Sequence, residues 1–334
     1  MNKNDLKILI TFLCFSLILL IFTFTYPYIK PSEGDNIVYV KEGSTVKDIA
    51  DSLYSKKIIF NKTYFYLVTY LKNAQKELKA GVYRIPDNIS YINLVNLFVK
   101  GGKNKLMPVT IPEGIWLPDL AGLLSKKMGL DSVKIINLSN DQNFIKSLGV
   151  KANNLEGYLL PETYFFDKNM DEKKVLKFLV KQMDKLFDST NTQKMRQLNM
   201  TKHEILTLAS IIDGESNKFD EFAKISSVYH NRLKRGMMLQ ADPTIQYIVR
   251  GERPKRILFR HLEINSPYNT YKKYGLPPGP INNPGKQAVY AALNPAITDY
   301  FYFVADVNGR HKFATTLSEH NRNVAIYRQM MRNN

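Results

Sequence analysis

The sequence predicts a mixed α+β protein with an N-terminal membrane-spanning helix (8–29), a small α/β module (37–104) and a larger mixed α+β domain (105–334). Three observations support this prediction. An uncharged apolar run stands near the start, strand and helix patterns alternate after it, and 334 residues suit about two domains of roughly 150 residues each. A hydrophobic fraction of 44% excludes a wholly disordered chain.

The first element is the run ILITFLCFSLILLIFTFTYPYI, residues 8–29. A helix needs about 20 such residues to cross a bilayer. Lys3 and Lys7 precede the run, and two tyrosines stand where an interfacial aromatic belt falls. The pattern predicts an uncleaved single-pass anchor, with residues 1–7 in the cytoplasm and everything after Lys30 outside it. The alternative is a cleaved signal peptide, which the length of the run disfavours.

Charge and cysteine content narrow the function. Lys and Arg number 47 against 30 Asp and Glu, which gives a net charge of +17, and such a chain favours polyanionic surroundings. Outside the cytoplasm, wall polymers and lipid headgroups are better candidates than nucleic acid. The single cysteine, Cys14, excludes an intrachain disulfide framework and a cysteine-based zinc module.

The small module follows a polar linker, residues 30–36. Its opening, VYVKEGSTVKDIADSLYSKK, is typical of a strand, a glycine turn and a helix, and the pattern returns as VTIPEGIWLPDLAGLLSKK. Glu42-Gly43 in the first copy corresponds to Glu113-Gly114 in the second. A repeated strand–turn–helix unit is the economical explanation, and chance similarity of two amphipathic helices is the alternative. Gly101-Gly102 predicts the break that ends the module.

The larger domain mixes helix, loop and strand signals. A Ser/Asn/Asp-rich stretch at 138–144 predicts a loop, and the capping box at 201–204 predicts the start of a strongly apolar helix. The segment LPPGPINNP at 276–284 excludes regular structure, because prolines remove donors and fix φ. YFYFV at 300–304 has the composition of a buried strand, and 318–331 predicts a basic amphipathic helix.

No metal or cofactor is predicted. His203-Glu204 invites a metalloprotease interpretation, but H-E-x-x-H needs a second histidine one turn later and Thr207 occupies that place. The 5 histidines show no ligand spacing. The sequence also contains neither a G-x-S-x-G elbow nor a phosphate-binding G-x-x-x-x-G-K.

Glu215 is the leading candidate for catalysis. It follows Leu208 and Ile211 at spacings that place it on the apolar stripe of a helix. Burial raises the pKa of a carboxyl group, and a helix end near Gly214 raises it further. A carboxyl group that holds its proton is what protonation of a glycosidic oxygen requires. The residues alone leave open the alternative of a solvent-exposed glutamate beyond the last helical turn.

Several motifs around Glu215 follow one another in the order of a known family. LASIIDGE at 208–215 matches A-S-I-[IV]-x-x-E, residues 231–244 match N-R-L…G-M-x-L-Q-x-D-P-T, and 268–281 match Y-N-T-Y…G-L-P-P-G-x-I. Together they resemble the MltG/YceG-like endolytic murein transglycosylases over essentially the whole chain. One departure is Asp213, where the family often has a glutamate, and it leaves the role of a second acid open.

The resemblance implies a lytic transglycosylase on the outer face of the bacterial inner membrane, with a LysM-like module at 37–104. It would cut nascent peptidoglycan strands between MurNAc and GlcNAc, terminate their elongation and leave 1,6-anhydroMurNAc ends. Glu215 would be both acid and base, without a cofactor. The expected partners are peptidoglycan strands, the membrane and peptidoglycan synthases, not nucleic acid. The residues expected to shape the substrate groove are Gln240, Asp242, Thr244, Tyr268, Asn269 and Tyr271.

Three other hypotheses stay open, and one of them, a basic nucleic-acid binder, is disfavoured by the predicted anchor. A non-catalytic peptidoglycan-binding scaffold of the wall-synthesis machinery would not need Glu215, so the presence of this residue disfavours it. A lysozyme-type hydrolase would leave reducing MurNAc ends, which product analysis distinguishes from anhydro ends.

Overall fold

The computed structural model describes residues 3–26, 36–101, 106–252, 256–306 and 308–333. The chain divides into two compact units, the first being Met1–Met107 with Phe165–Asn169 and the second Pro108–Tyr164 with Met170–Asn334. Helices alternate with short strands, which pair into three two-stranded sheets within the described residues. The predicted mixed α+β class is confirmed.

The predicted membrane anchor at 8–29 is not supported. Most of the run belongs to helix α1 (Lys3–Thr25), and residues 27–35, which hold its end and most of the linker, lie outside the described residues. Across the described ranges, no helix combines the length and the apolarity that crossing a bilayer requires. At the end of α1, Phe24 is 4% exposed and its ring meets Tyr64 edge-on, with ring centroids 5.5 Å apart.

The small module is built on one antiparallel strand pair. Strand β1 (Ile37–Val40) pairs with β2 (Gly81–Arg84), so that Ile37 lies opposite Arg84. Around this pair lie three helices: α2 (Val46–Ser55), α3 (Lys62–Leu71) and α4 (Tyr91–Lys100). Aliphatic and aromatic side chains from all these elements form a single buried core.

The predicted repeat of strand, glycine turn and helix is present in both places. In the first copy Gly43 has a φ of +79° and α2 follows. In the second, β3 (Leu106–Thr110) leads to Gly114 with a φ of +69°, and α5 (Leu117–Met128) follows. A positive φ suits glycine because it has no Cβ. Strand β3 pairs with β4 (Thr163–Asp167).

The predicted loop at 138–144 is wrong. Helix α6 (Ser132–Asn140) runs almost directly into α7 (Gln142–Ser147). Asp141 separates them and caps α7, because its Oδ1 accepts hydrogen bonds from the backbone N–H of Asn143 at 2.8 Å and of Phe144 at 3.0 Å. One of the polar residues that suggested a loop, Asp141, therefore caps a helix instead.

Helix α10 (Lys202–Glu215) is the central helix of the second unit, and it follows α8 (Glu172–Asp184) and α9 (Ser189–Leu198). The predicted capping box is confirmed: Thr201 and Glu204 bond reciprocally at its start. Every side chain from Ile205 to Ile212 is buried, as expected of a helix that is apolar on all sides. The helices packed against it are α11 (Phe222–Lys234), α12 (Asp242–Ile248) and α14 (Lys286–Leu293).

The C-terminal elements follow the predictions with one difference. Helix α13 (Phe259–Leu262) precedes the proline-rich segment, which is irregular as predicted. Strand β5 (Tyr302–Ala305) pairs with β6 (His311–Ala314), but its side chains are half-buried rather than fully buried. The reason is that one side of β5 borders a cleft. Helix α15 (Leu317–Asn333) closes the chain.

Candidate active site

Glu215 is the last residue of α10, at the negative end of the helix dipole. Its side chain is half-buried, so the exposed alternative beyond the last turn does not hold. The phenol of Tyr229, on α11, donates a hydrogen bond to its Oε1. Tyr229 is 1% exposed, and burial raises its own pKa well above the ordinary value. The phenol therefore keeps its proton and remains a donor.

The environment of Glu215 raises the pKa of its carboxyl group to about 7. Burial is the largest cause. The hydrogen bond from Tyr229 and the charge of Arg232 act in the opposite direction, while the nearby carboxylate of Asp242 adds to the increase. A group that titrates near neutrality is present in both protonation states, so it can give a proton in one step and take one in the next.

Arg232 is held in place by the backbone around it. Its Nε donates to the carbonyl oxygen of Phe301 at 2.7 Å, and its Nη1 donates to that of Leu239, also at 2.7 Å. The guanidinium carbon lies 5.4 Å from the centre of the Tyr302 ring. These contacts fix a positive charge near Glu215 and join α11 to strand β5.

A cleft of about 600 Å³ opens at Glu215. Its walls come from the ends of α10 and α12, from α11 and from β5. Four of the predicted site residues line it together: Glu215, Gln240, Asp242 and Tyr271. The Tyr271 phenol donates to Asp242 Oδ1 at 2.6 Å. Gln240 has a φ of +48°, a conformation rare for residues with a side chain and often found at functional sites.

The structure places the other three predicted groove residues outside this cleft. Thr244 is fully buried, and its Oγ1 donates to the carbonyl oxygen of Ala241 at 2.7 Å. Asn269 is fully buried and accepts a hydrogen bond from the backbone N–H of Tyr271 at 2.9 Å. Tyr268 borders a separate cavity of about 170 Å³. Asn269 and Thr244 thus hold the segments that carry Tyr271 and Asp242.

Two residues beside Glu215 are missing from the predicted groove set, Tyr229 and Arg232. The signal for Arg232 is the N-R-L motif at 231–233, and Tyr229 stands three positions earlier, one turn away on the same helix face. His320 on α15 also lines the cleft, and its Nδ1 is buried without a hydrogen-bond partner among the described residues. Burial and Arg232 lower the pKa of His320, which favours a neutral imidazole.

Two further cavities share lining residues with this cleft. A cavity of about 440 Å³ shares Glu215 and His311 with it, and a cavity of about 240 Å³ shares Pro243 and Gln246 with it. Gly214 lines all three. Three open cavities with common lining residues therefore lie around the end of α10, an arrangement that suits an extended ligand rather than a small enclosed one.

His203 has a structural role. Its Nε2 is 2.8 Å from the carbonyl oxygen of Pro278, and its Nδ1 is 2.8 Å from the Tyr158 phenol. Both ring nitrogens are therefore engaged in hydrogen bonds. In the part of the chain that the structure describes, no three His, Cys, Asp or Glu side chains are grouped closely enough to hold a metal ion.

Comparison with known proteins finds a matching family and similar proteins. The model of the YceG-like family matches residues 38–326. An "Endolytic murein transglycosylase" of Bacillus subtilis (strain 168) is 33% identical over 311 residues, covering 89% of this chain and 86% of that protein. A protein of the same name from Streptococcus pneumoniae (strain ATCC BAA-255 / R6) is 32% identical, covering 86% of this chain and 57% of its own length.

A solved structure of a yceG-like protein is also similar to this chain. The crystal structure of a yceG-like protein from Listeria monocytogenes superposes with a TM-score of 0.61 at 32% identity, covering 86% of this chain and 97% of that one. The family match spans more than half of the chain, and it includes the motifs around Glu215. The chain therefore belongs to the YceG-like family.

Proposed function

We propose that this protein is an endolytic murein transglycosylase acting on the glycan strands of peptidoglycan. The names of its relatives support the reaction class. The observation that carries the proposal is the half-buried Glu215, which is hydrogen-bonded to Tyr229, has a pKa raised to about 7 and lies in an open groove. A carboxyl group in this environment can act as acid and as base in the cleavage of a glycosidic bond within a glycan strand.

In the proposed first step, protonated Glu215 gives its proton to the glycosidic oxygen between MurNAc and GlcNAc. The bond from that oxygen to MurNAc C1 breaks, the GlcNAc part leaves as an alcohol, and positive charge develops on the MurNAc ring as in other glycoside cleavages. We assign the stabilisation of this charge to Asp242, which lines the same cleft. Tyr271 holds Asp242 in place.

In the second step, the Glu215 carboxylate takes the proton of the MurNAc C6 hydroxyl, whose oxygen attacks C1. This closes a 1,6-anhydro ring and returns Glu215 to its protonated form, so no water is consumed. A single carboxyl group with a pKa near neutrality serves both steps. We assign to Gln240 and Tyr271, which line the same cleft as Glu215, the orientation of the sugar.

The neighbouring open cavities support cleavage inside a strand, since they offer room for sugars beyond the two that flank the reacting bond. We further propose that the substrate is nascent strand material, that the cut ends its elongation, and that the protein works beside peptidoglycan synthases. We assign glycan or partner contacts to the LysM-like module at 37–104. Its surface carries exposed aromatic rings, among them Tyr54, Phe60 and Tyr70.

Glu215→Gln tests the catalytic assignment. The amide keeps the size of the side chain and removes the transferable proton, so release of anhydro-muropeptides should fall by about 10²–10⁴-fold. Strand binding should persist because the two side chains are nearly isosteric. Mass spectrometry of muropeptides released by the purified protein measures this.

The same spectra separate the competing functions. Anhydro ends released by the unsubstituted protein support the transglycosylase, and reducing ends would indicate a hydrolase. Binding without release would indicate a scaffold. Near-normal release by Glu215→Gln would remove Glu215 from the catalytic role.

A further inference from the structure

An acidic cavity of about 240 Å³ lies next to the catalytic cleft and shares Gly214, Pro243 and Gln246 with it. Two carboxyl groups line this cavity, those of Glu113 and Asp213. Its described lining residues include no Lys, Arg or His. The proposed mechanism uses neither carboxyl group, although the sequence drew attention to both.

Two glycines bring these carboxyl groups together. Asp213 Oδ1 accepts a hydrogen bond from the backbone N–H of Gly285 at 3.2 Å, and a Cβ atom on Gly114 would lie only 2.7 Å from Asp213 Oδ2. A Cβ atom on Gly285 would lie 2.1 Å from the carboxyl carbon of Glu113. A side chain at either glycine would therefore occupy the space that the carboxyl groups use. The repeated Glu-Gly turn supplies Glu113, and α10 supplies Asp213.

The negative charge of this pair is uncompensated. Neither Glu113 nor Asp213 takes part in an ion pair among the described residues. Burial, followed by the charge of Glu113, raises the pKa of Asp213 to about 7. Burial and the charge of Glu162 raise the pKa of Glu113. Burial is the largest cause of each increase, and a neighbouring carboxylate adds to it.

A third acceptor in the same cavity also lacks a partner. Asn282 lines the cavity and is 4% exposed. Its Nδ2 donates to the carbonyl oxygen of Ser210 at 2.9 Å, but its Oδ1 has no hydrogen-bond partner among the described residues. A buried acceptor without a donor is costly, and most such groups in proteins are satisfied. The cavity therefore combines two carboxyl groups and one amide oxygen without a cationic partner among the described residues, and the backbone N–H of Gly285 on Asp213 Oδ1 is the hydrogen-bond donor found for them there.

We propose that this cavity binds a primary ammonium group of the peptidoglycan strand being cut. An ammonium group carries three N–H donors and one positive charge, which complement the three acceptors and the charge of the acid pair. The inference rests on the proposed function and adds recognition beside the reacting bond. Peptidoglycan chemistry offers two sources of the group: the side-chain amine of a diamino acid in the stem peptide, and the 2-amino group of a glucosamine that lacks its acetyl group.

The test compares soluble glycan strands with free amines and the same strands after acetylation with acetic anhydride, using the full chain. Acetylation should raise KM about tenfold, the effect of losing about 1.4 kcal/mol of binding, and change kcat little. The direction is informative because the protein carries +17. Nonspecific attraction would instead tighten binding to the acetylated, more anionic strands.

Asp213→Asn and Glu113→Gln should raise KM for amine-bearing strands to the value that acetylation gives. Acetylation should then have no further effect on either variant. The matched controls are Asp299→Asn and Glu252→Gln, which remove the same charge from exposed positions outside the cavity. Both controls should keep the full response to acetylation.

Two strand preparations distinguish the sources of the amine. Strands stripped of peptides but partly de-N-acetylated carry only sugar amines, and fully N-acetylated strands with stem peptides carry only peptide amines. An acetylation effect confined to one preparation identifies the group. If acetylation leaves the KM of the unsubstituted protein unchanged in both, the ammonium site is wrong, although release of anhydro ends would still support the proposed function.

A binding measurement keeps the two proposals separate if no strand is cut. Calorimetry of intact amine-bearing strands with Glu215→Gln should show tighter binding than with acetylated strands, and adding Asp213→Asn should abolish the difference. Equal binding of both strands would overturn the proposal. So would saturable binding of Ca²⁺ alone that Asp213→Asn removes, combined with indifference to acetylation, because the cavity would then be a metal site.

Discussion

At the scale of single residues, the contact between Tyr229 and Glu215 sets the protonation of the proposed catalytic acid. Burial raises the pKa of Glu215 to about 7, and the hydrogen bond from Tyr229 opposes that increase. A general acid must be protonated when it acts. Activity should therefore be highest below pH 7 and fall as the pH rises through the pKa, by about tenfold for each unit above it.

Tyr229→Phe should shift the alkaline limb of the pH–activity profile, where activity falls as Glu215 loses its proton, to higher pH. The substitution removes the hydrogen bond that stabilises the carboxylate, so Glu215 keeps its proton to a higher pH. The pH profile of kcat/KM measures the shift. Tyr290→Phe is the matched control, since Tyr290 lies outside the cleft, and it should leave the limb in place. A limb that moves to lower pH in Tyr229→Phe would contradict the assigned direction of the hydrogen bond.

The sequence does not reveal which polar side chains of a motif face the cleft. Asp242 and Thr244 belong to one motif, yet the first lines the cleft and the second is buried against Ala241. Residue type and spacing do not reveal whether a polar side chain bonds to backbone or faces a ligand. The motif therefore located the segment of the site, and only the packing of α10 against α11 brought Tyr229 to Glu215.

At the scale of elements, a buried carboxyl group joins segments that are distant in sequence. Glu156 is 3% exposed and accepts hydrogen bonds from the backbone N–H of Leu117, at the start of α5, at 2.9 Å and from Asn283 Nδ2 at 3.1 Å. Asn283 Oδ1 in turn accepts from the N–H groups of Gly157 and Leu159. This network fixes the Glu-Gly turn and the proline-rich segment beside α10.

Glu156→Gln should change how stability depends on pH. Burial raises the pKa of Glu156 from 4.5 to about 7, so between these values the folded state holds a proton that the unfolded state releases. Its contribution to the free energy of unfolding is fully present below pH 4.5 and is lost as the pH rises through 7. The loss amounts to about 3 kcal/mol at 1.36 kcal/mol per pKa unit.

The glutamine variant keeps an acceptor oxygen and does not titrate. Its free energy of unfolding should therefore fall less than that of the unsubstituted protein between pH 5 and pH 8, by about 2.5 kcal/mol. Urea denaturation at both pH values measures this difference. Glu252→Gln, at an exposed position, should leave the pH dependence unchanged. An identical pH dependence in Glu156→Gln would show that Glu156 does not carry the effect.

Short sequence motifs predicted individual helices and turns better than they predicted how deeply each element is buried. The capping box at 201–204 and the two glycine turns were readable because the residues that form them are neighbours in sequence. The prediction of a loop at 138–144 was wrong because Asn and Asp favour loops and helix caps alike. The half-burial of β5 was not readable from its aromatic composition, since it depends on a cleft built by residues from elsewhere in the chain.

At the scale of the whole molecule, the exposed aromatic rings of the module suit contact with sugar rings rather than with its own core. Tyr54, Phe60 and Tyr70 are 49%, 69% and 72% exposed, while the module core is complete without them. In the proposed function, the module holds insoluble peptidoglycan and the second unit performs the cut. Binding and turnover should then be separable by substitution.

The triple variant Tyr54→Ser, Phe60→Ser, Tyr70→Ser should bind insoluble peptidoglycan more weakly, by at least tenfold if each ring contributes about 0.5–1 kcal/mol of apolar contact. Its kcat on soluble strands should stay within twofold, because none of the three lines the Glu215 cleft. Co-sedimentation with purified cell walls measures the first quantity and muropeptide release the second. Phe259→Ser, 90% exposed in the second unit, is the matched control. An equal loss of binding in the control would mean that general surface apolarity, not the module, retains the protein on the wall.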